Sequence, residues 1–212
     1  FSKKINSKKN FDINQTIETG FYDLENLNFV KNNFEDKKNI LFLNFQSSEN
    51  HFSKKNNLAI SDRSHKKFLY DLLKIIKKFP YVNFSVSSKG LNFFQDKNFS
   101  YFFNKINKIN NVKLIALNDN VKTLDLIKKN DLVIGKPSSI MEKCLYIGKP
   151  LLIHEYSNNI TNQMSQVINL YNDLFYCNSF EDLFEKISMF INNTNEFNEN
   201  LNTQKKKYLE IT

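Results

Sequence analysis

The chain has 212 residues and a mass of 25.1 kDa, with 41% hydrophobic and 14% aromatic residues and a formal net charge of +8. That is room for one fair-sized domain, or one domain with an arm, and its 21 Phe exclude a generic disordered tail, which would be poor in aromatics. The basicity is almost all Lys, Arg63 being the only arginine, so it reads as a solvated lysine surface rather than a nucleic-acid-reading stripe, for which bidentate Arg is preferred.

Residues 1–37 are Lys/Asn-rich with little periodicity and read as a linker or as the end of a missing N-terminal domain; their one local signal is Thr19-Gly20-Phe21-Tyr22-Asp23. The sequence opens at Phe1 without a signal-peptide pattern, which suggests a piece of a longer protein. From residue 38 a different grammar begins. Asn39–Phe45 is a short apolar run that reads as a buried strand. Ser64 is placed to cap a helix with its apolar stripe at Phe68, Leu69, Leu72, Leu73, Ile76 and Phe79, and Pro80 ends it. A strand over Tyr81–Val86 follows, then the loop Ser87-Ser88-Lys89-Gly90, a helix near Phe99–Ile109 and a strand over Val112–Leu117. Next come a short helix over Val121–Lys129, a strand at Leu132–Ile134, a helix over Ser139–Ile147 and a strand at Leu151–Ile153. A last strand near Leu174–Cys177 leads to Ser179, which caps a helix through a box with Asp182; Phe180, Leu183, Phe184, Ile187 and Ile191 share one of its faces. Residues 193–212 are an Asn/Lys/Glu-rich tail, expected to be helical near Lys205–Leu209.

Strands alternating with helices predict an α/β fold over residues 38–192, a doubly wound parallel sheet of about six strands with helices on both faces. The default strand order is the Rossmann-like 3-2-1-4-5-6, and the expected core includes Leu41, Leu43, Leu72, Ile76, Phe84, Leu114, Val133, Leu145, Leu152, Leu183 and Ile187. In such sheets ligands bind outside the carboxyl ends of the strands. Here that edge collects 46–51, 87–90, 118–120, 135–139 and 154–156.

The most specific stretch is Asp131–Pro150, Asp-Leu-Val-Ile-Gly-Lys-Pro-Ser-Ser-Ile-Met-Glu-Lys-Cys-Leu-Tyr-Ile-Gly-Lys-Pro. A strand runs into the turn Gly135-Lys136-Pro137, Ser138 and Ser139 open a helix, Gly148 ends it, and Lys149-Pro150 starts the next strand. A helix start offers N–H donors and a positive dipole, the two serines add hydroxyls, and Lys136 adds charge. The same serines have a second reading as plain caps, and Ser139 with Glu142 has the spacing of a capping box.

This stretch resembles the C-terminal half of glycosyltransferases of the two-domain GT-B fold, whose turn and helix start hold the nucleotide diphosphate. It is also similar to CDP-glycerol glycerophosphotransferases and to UDP-sugar 2-epimerases. Thr19-Gly20 with Asp23 resembles the family's hinge segment, and the helix after Ser179 its closing helix. The resemblance implies a donor-binding domain for a nucleotide-sugar, acting in bacterial cell-surface polysaccharide synthesis in the cytoplasm at the inner face of the membrane. It further implies a glycan or lipid-linked acceptor, peripheral membrane contact, no cofactor and no metal, with the catalytic base mainly on the other domain. In the family pattern an acidic side chain five positions before the helix-ending glycine grips the ribose. Here that slot is Lys143, while Glu142 stands one residue earlier, about 100° round the helix. Lys143 keeps open a non-catalytic, polyanion-binding module with the same fold.

The remaining candidates are single residues. His51 follows the first strand, Lys89 follows the second, and His154 with Glu155 ends the strand after Pro150; each reads as a donor contact or as a plain loop residue. His65 falls in the first turn of a helix and reads as solvent-exposed. The three His have no zinc spacing, and no P-loop, dinucleotide fingerprint or nucleophile elbow is present. Cys144 and Cys177 fit no metal spacing and are expected to be reduced thiols.

Overall fold

In a computed structural model the structure describes residues 38–43, 62–88, 94–97, 99–117, 122–136, 138–154, 175–177 and 179–211. Their strands are β1 (Asn39–Leu43), β2 (Asn83–Ser88), β3 (Val112–Ala116), β4 (Leu132–Gly135), β5 (Leu151–His154) and β6 (Tyr176–Cys177). All pair in parallel, in the order β3-β2-β1-β4-β5-β6. The helices are α1 (Asp62–Lys78), α2 (Ser100–Ile106), α3 (Thr123–Lys129), α4 (Ser139–Tyr146), α5 (Phe180–Asn192) and α6 (Thr194–Ile211).

The two-residue period of the strands divides the core into two layers. Ile40, Phe42, Phe84, Val86, Ile134 and Leu152 face one way, against the apolar stripes of α1, α2 and α5. Leu41, Val133, Leu151 and Ile153 face the other way, against Leu126 and Ile127 of α3 and Met141, Cys144 and Leu145 of α4. β4 and β5 are buried at every residue, as strands covered on both faces must be. α6 bridges the layers, with Phe197 in the first cluster and Leu201 in the second.

Four local expectations shift. Leu43 and Leu114 are half-buried rather than core, since β1 ends at Leu43 and β3 is an edge strand. Ser87 and Ser88 belong to β2 rather than to a loop: pairing with Leu43 on one side and Ala116 on the other overrides the turn preference of serine. α1 begins at Asp62, so Ser64 lies inside it. The tail is helical from Thr194, not only near its end. Asn193, with φ −140° and ψ 65°, breaks the path from α5, and its side chain meets Glu196 at the start of α6. Ser179 caps α5 as expected, its Oγ accepting from Asp182 N at 3.0 Å.

Candidate functional site

The strand order reverses between β1 and β4, and in such sheets ligands bind outside the carboxyl ends of the strands at that point. Gly135 ends β4 there. A Cβ on it would stand 3.0 Å from Met141 Sδ and 3.4 Å from Leu43 Cβ, so glycine lets the start of α4 close onto the end of β1. The next residue, Lys136, is buried, with 9% of its surface exposed. Ser138 follows in extended backbone (φ −166°, ψ 160°) as the N-cap of α4, its carbonyl accepting from Met141 N at 2.9 Å. Its side chain is exposed and makes no capping hydrogen bond, so the hydroxyl faces outward at the helix start. The N-cap at Ser138 puts the supposed Ser139–Glu142 capping box one residue out of register, because Ser139 is already helical. Ser139 and Glu142 belong to α4 by their backbone, their side chains lying outside the described set, while His51, Lys89 and Pro137 lie outside the described residues. Lys143 is half-buried on α4.

Two caps with different chemistry give a direct stability comparison. Ser179→Ala should cost about 1 kcal/mol in a denaturant melt, because the Asp182 N–H loses its acceptor. Ser138→Ala should cost clearly less, since its hydroxyl satisfies no backbone donor.

The other polar residues of the Asp131–Pro150 stretch work at the opposite, amino edge. Asp131 Oδ2 accepts from Asn39 N at 2.8 Å and from Asn39 Nδ2 at 3.4 Å, and Asn83 Nδ2 donates to Asn39 Oδ1 at 3.0 Å. This chain of contacts links the starts of β1, β2 and β4. Lys149 is 2% exposed, and its ammonium donates to Asn130 O at 2.8 Å and Lys128 O at 3.4 Å, the carbonyls ending α3. Burial lowers its pKa from the ordinary value, against the pull of Asp131. Gly148, at φ 76°, supplies the left-handed turn before it: Gly148 N donates to Leu145 O and Lys149 N to Cys144 O, closing α4. Lys149→Met should therefore destabilise the fold by roughly 1.5–3 kcal/mol in urea unfolding, the range for a hydrogen bond to a charged group. It should leave ligand affinity of the folded protein unchanged.

His154, at the end of β5, is 3% exposed. Its ring meets Phe68 edge-on at 4.8 Å, and its Nε2 stands 3.9 Å from Asp71 Oδ2, beyond hydrogen-bond reach. Burial, aided by the nearby charge of Lys136, pushes His154 down to about 3, so the imidazole is neutral near pH 7. Burial raises Asp71 to about 6, opposed by Lys74 and Lys67. His65 is fully buried against Phe99, 4.4 Å between rings, which corrects its reading as solvent-exposed. Its place three and four residues before Phe68 and Leu69 puts it on the apolar stripe of α1, a signal present in the sequence. Asp71 had no local signal.

Lys136 and His154 thus sit at neighbouring strand ends, coupled by charge, with Ser138 beside Lys136 in the chain. Cys144 and Cys177 are free and buried, their thiols pushed up to about 12 by burial. They pack in opposite layers of the sheet and cannot bridge. Among the described residues no group of His, Cys, Asp and Glu is arranged to hold a metal ion, and no helix is long and apolar enough to cross a membrane.

No protein-family model and no curated protein matches the chain. Solved structures do. A UDP-GlcNAc 2-epimerase from Neisseria meningitidis bound to UDP-GlcNAc aligns over 81% of this chain and 40% of its own length, with a TM-score of 0.52 and 17% identity. The MnaA–UDP structure from S. aureus aligns over 95% of this chain and 44% of its own length, with a TM-score of 0.50 and 12% identity. The chain therefore shares a Rossmann-like α/β fold with these two structures and spans less than half of their length.

Proposed function

We propose that the chain is a nucleotide-sugar-binding domain that receives the diphosphate of its ligand at the carboxyl edge of β1 and β4. The observation that carries this reading is the juxtaposition at the exit of β4. There a buried Lys136 is followed by Ser138, whose hydroxyl is exposed and not engaged in capping, at the opening of α4. An ammonium, a hydroxyl and the N–H groups of a helix start are the donor set that a diphosphate accepts from. Lys89, His51 and Pro137, which lie outside the described residues, are kept in the set by sequence order alone, following β2, β1 and Lys136 in the chain. Ser139, Glu142 and His154 complete the set, His154 as a neutral imidazole.

The finer reading is the donor-binding domain of a glycosyltransferase in cell-surface polysaccharide synthesis, with a glycan or lipid-linked acceptor. In that chemistry the leaving diphosphate is stabilised by Lys136 and the helix dipole. A UDP-sugar 2-epimerase-like role is the second reading, favoured by the UDP-containing structures that share the fold. Both readings place the diphosphate at the same residues.

Thermal-shift titration with UDP, CDP and GDP tests the shared claim. One of them should raise the melting temperature. Replacing Ser138 and Ser139 together by Ala should weaken that ligand by roughly ten- to a hundredfold, the loss of one to two charge-assisted hydrogen bonds. A double variant that binds as wild type does places the phosphates elsewhere.

A further inference from the structure

Among the described residues the charge is not spread evenly over the surface. The described exposed side chains of α1 are Lys66, Lys67, Tyr70, Lys74, Lys77 and Lys78. No described acidic side chain reaches solvent there, because Asp71 is buried under Lys74. The cationic surface continues onto α2: Tyr70 packs against Phe102 at 4.5 Å, and Lys105 lies over the ring of Tyr101 at 4.2 Å. Tyr70 and Tyr101 remain 49% and 56% exposed. On the same side of the sheet α5 exposes Glu181 and Glu185 instead, and α6, which bridges the layers, exposes Glu196, Glu199 and Lys206 among its described side chains. What sets α1 apart among the described side chains is five exposed lysines on one helix with no exposed acid between them.

We propose that the α1–α2 face docks on an anionic lipid surface. Clustered ammoniums are attracted to an anionic bilayer without requiring a fixed partner geometry. Tyrosines, apolar in the ring and polar at the tip, suit the lipid–water interface. The described cations of this face are all Lys, point charges rather than the bidentate Arg fork that reads phosphodiesters in nucleic acid, and Arg63 at the start of α1 has its side chain outside the described set. The face lies on the outer surface of one helical layer and does not depend on the nucleotide reading.

Vesicle flotation of the full chain tests this. Wild type should float with vesicles of equal parts phosphatidylglycerol and phosphatidylcholine, not with phosphatidylcholine alone, and salt should release it. The triple variant Lys66→Gln, Lys77→Gln, Lys78→Gln should lose about a hundredfold in partitioning, from roughly fivefold per lysine. The triple variant Lys122→Gln, Lys128→Gln, Lys129→Gln, on exposed positions around α3 in the opposite layer, removes the same charge and should lose far less. All six side chains are exposed, so both variants should melt as wild type does. Because the protein has no Trp, Tyr101→Trp gives a clean reporter whose emission should shift to the blue on the anionic vesicles only. Equal losses in the two triple variants, no blue shift, or binding of a single-stranded oligonucleotide without binding of vesicles would each overturn the proposal.

Discussion

Lys136→Gln should weaken nucleoside diphosphate binding by about ten- to a hundredfold, with a smaller salt dependence than wild type. The change keeps a hydrogen-bonding group of similar length and removes the charge. A charge-assisted hydrogen bond to phosphate contributes about 1.5–3 kcal/mol, and each 1.4 kcal/mol is about tenfold in affinity. The side chain is held at the exit of β4, one of the strands at which the sheet order reverses, and it is buried there. Its charge is also felt by His154, so its removal should let the imidazole pKa rise from about 3 towards its ordinary value. Calorimetric titration together with a histidine NMR titration reads both effects. Unchanged affinity with a shifted His154 would take Lys136 out of the ligand site while leaving the geometry intact.

Asp71→Asn should stabilise the protein at pH 8 and have little effect at pH 4. Asp71 has a folded pKa of about 6, above its ordinary value near 3.8. A raised folded pKa contributes stability that is fully present below the unfolded pKa and is lost as pH rises through about 6. At pH 8 the buried carboxylate therefore costs up to about 3 kcal/mol, at about 1.4 kcal/mol per pKa unit, and Asn removes that cost. His154 acts in the opposite sense. Its folded pKa is depressed, so its contribution is present above about 6.5 and falls away as pH drops towards 3. Between pH 4 and 6 the two slopes oppose each other in wild type. The Asn variant should therefore lose stability more steeply on acidification over that interval. Urea unfolding at several pH values checks this, and a stability difference that does not change with pH would refute it. The groups facing the pair are Lys67 and Lys74 on α1, Lys136 after β4 and Glu181 on α5.

The alternation of short apolar runs with amphipathic stretches was enough to read the α/β sheet, and the default strand order is the one observed. The segment from β4 to β5 was legible because its signals are local: an apolar strand, serines at a helix start, and a glycine at φ 76° at the helix end. The roles of Asp131 and Lys149 were not legible. Asp131 binds a strand start 92 residues away, and Lys149 binds carbonyls ending another helix. Nothing in the motif separates such anchors from ligand-binding residues, and only the fold assigns them to the amino edge. His65 was misread from its place in the first turn of a helix, although its helical spacing to Phe68 and Leu69 pointed inward. The full length of α6 was also announced, by Asn193 three residues before Glu196, a spacing typical of a helix start.

The most direct test of the nucleotide site is an amide chemical-shift map of the chain titrated with UDP. The expected shifts lie at the carboxyl edge, on Gly135, Lys136, Ser138, the first turn of α4 and His154. Asn39, Asn83, Asp131 and Lys149 at the amino edge should stay unmoved. Shifts confined to the amino edge, or none at saturating UDP, CDP and GDP, would contradict the account.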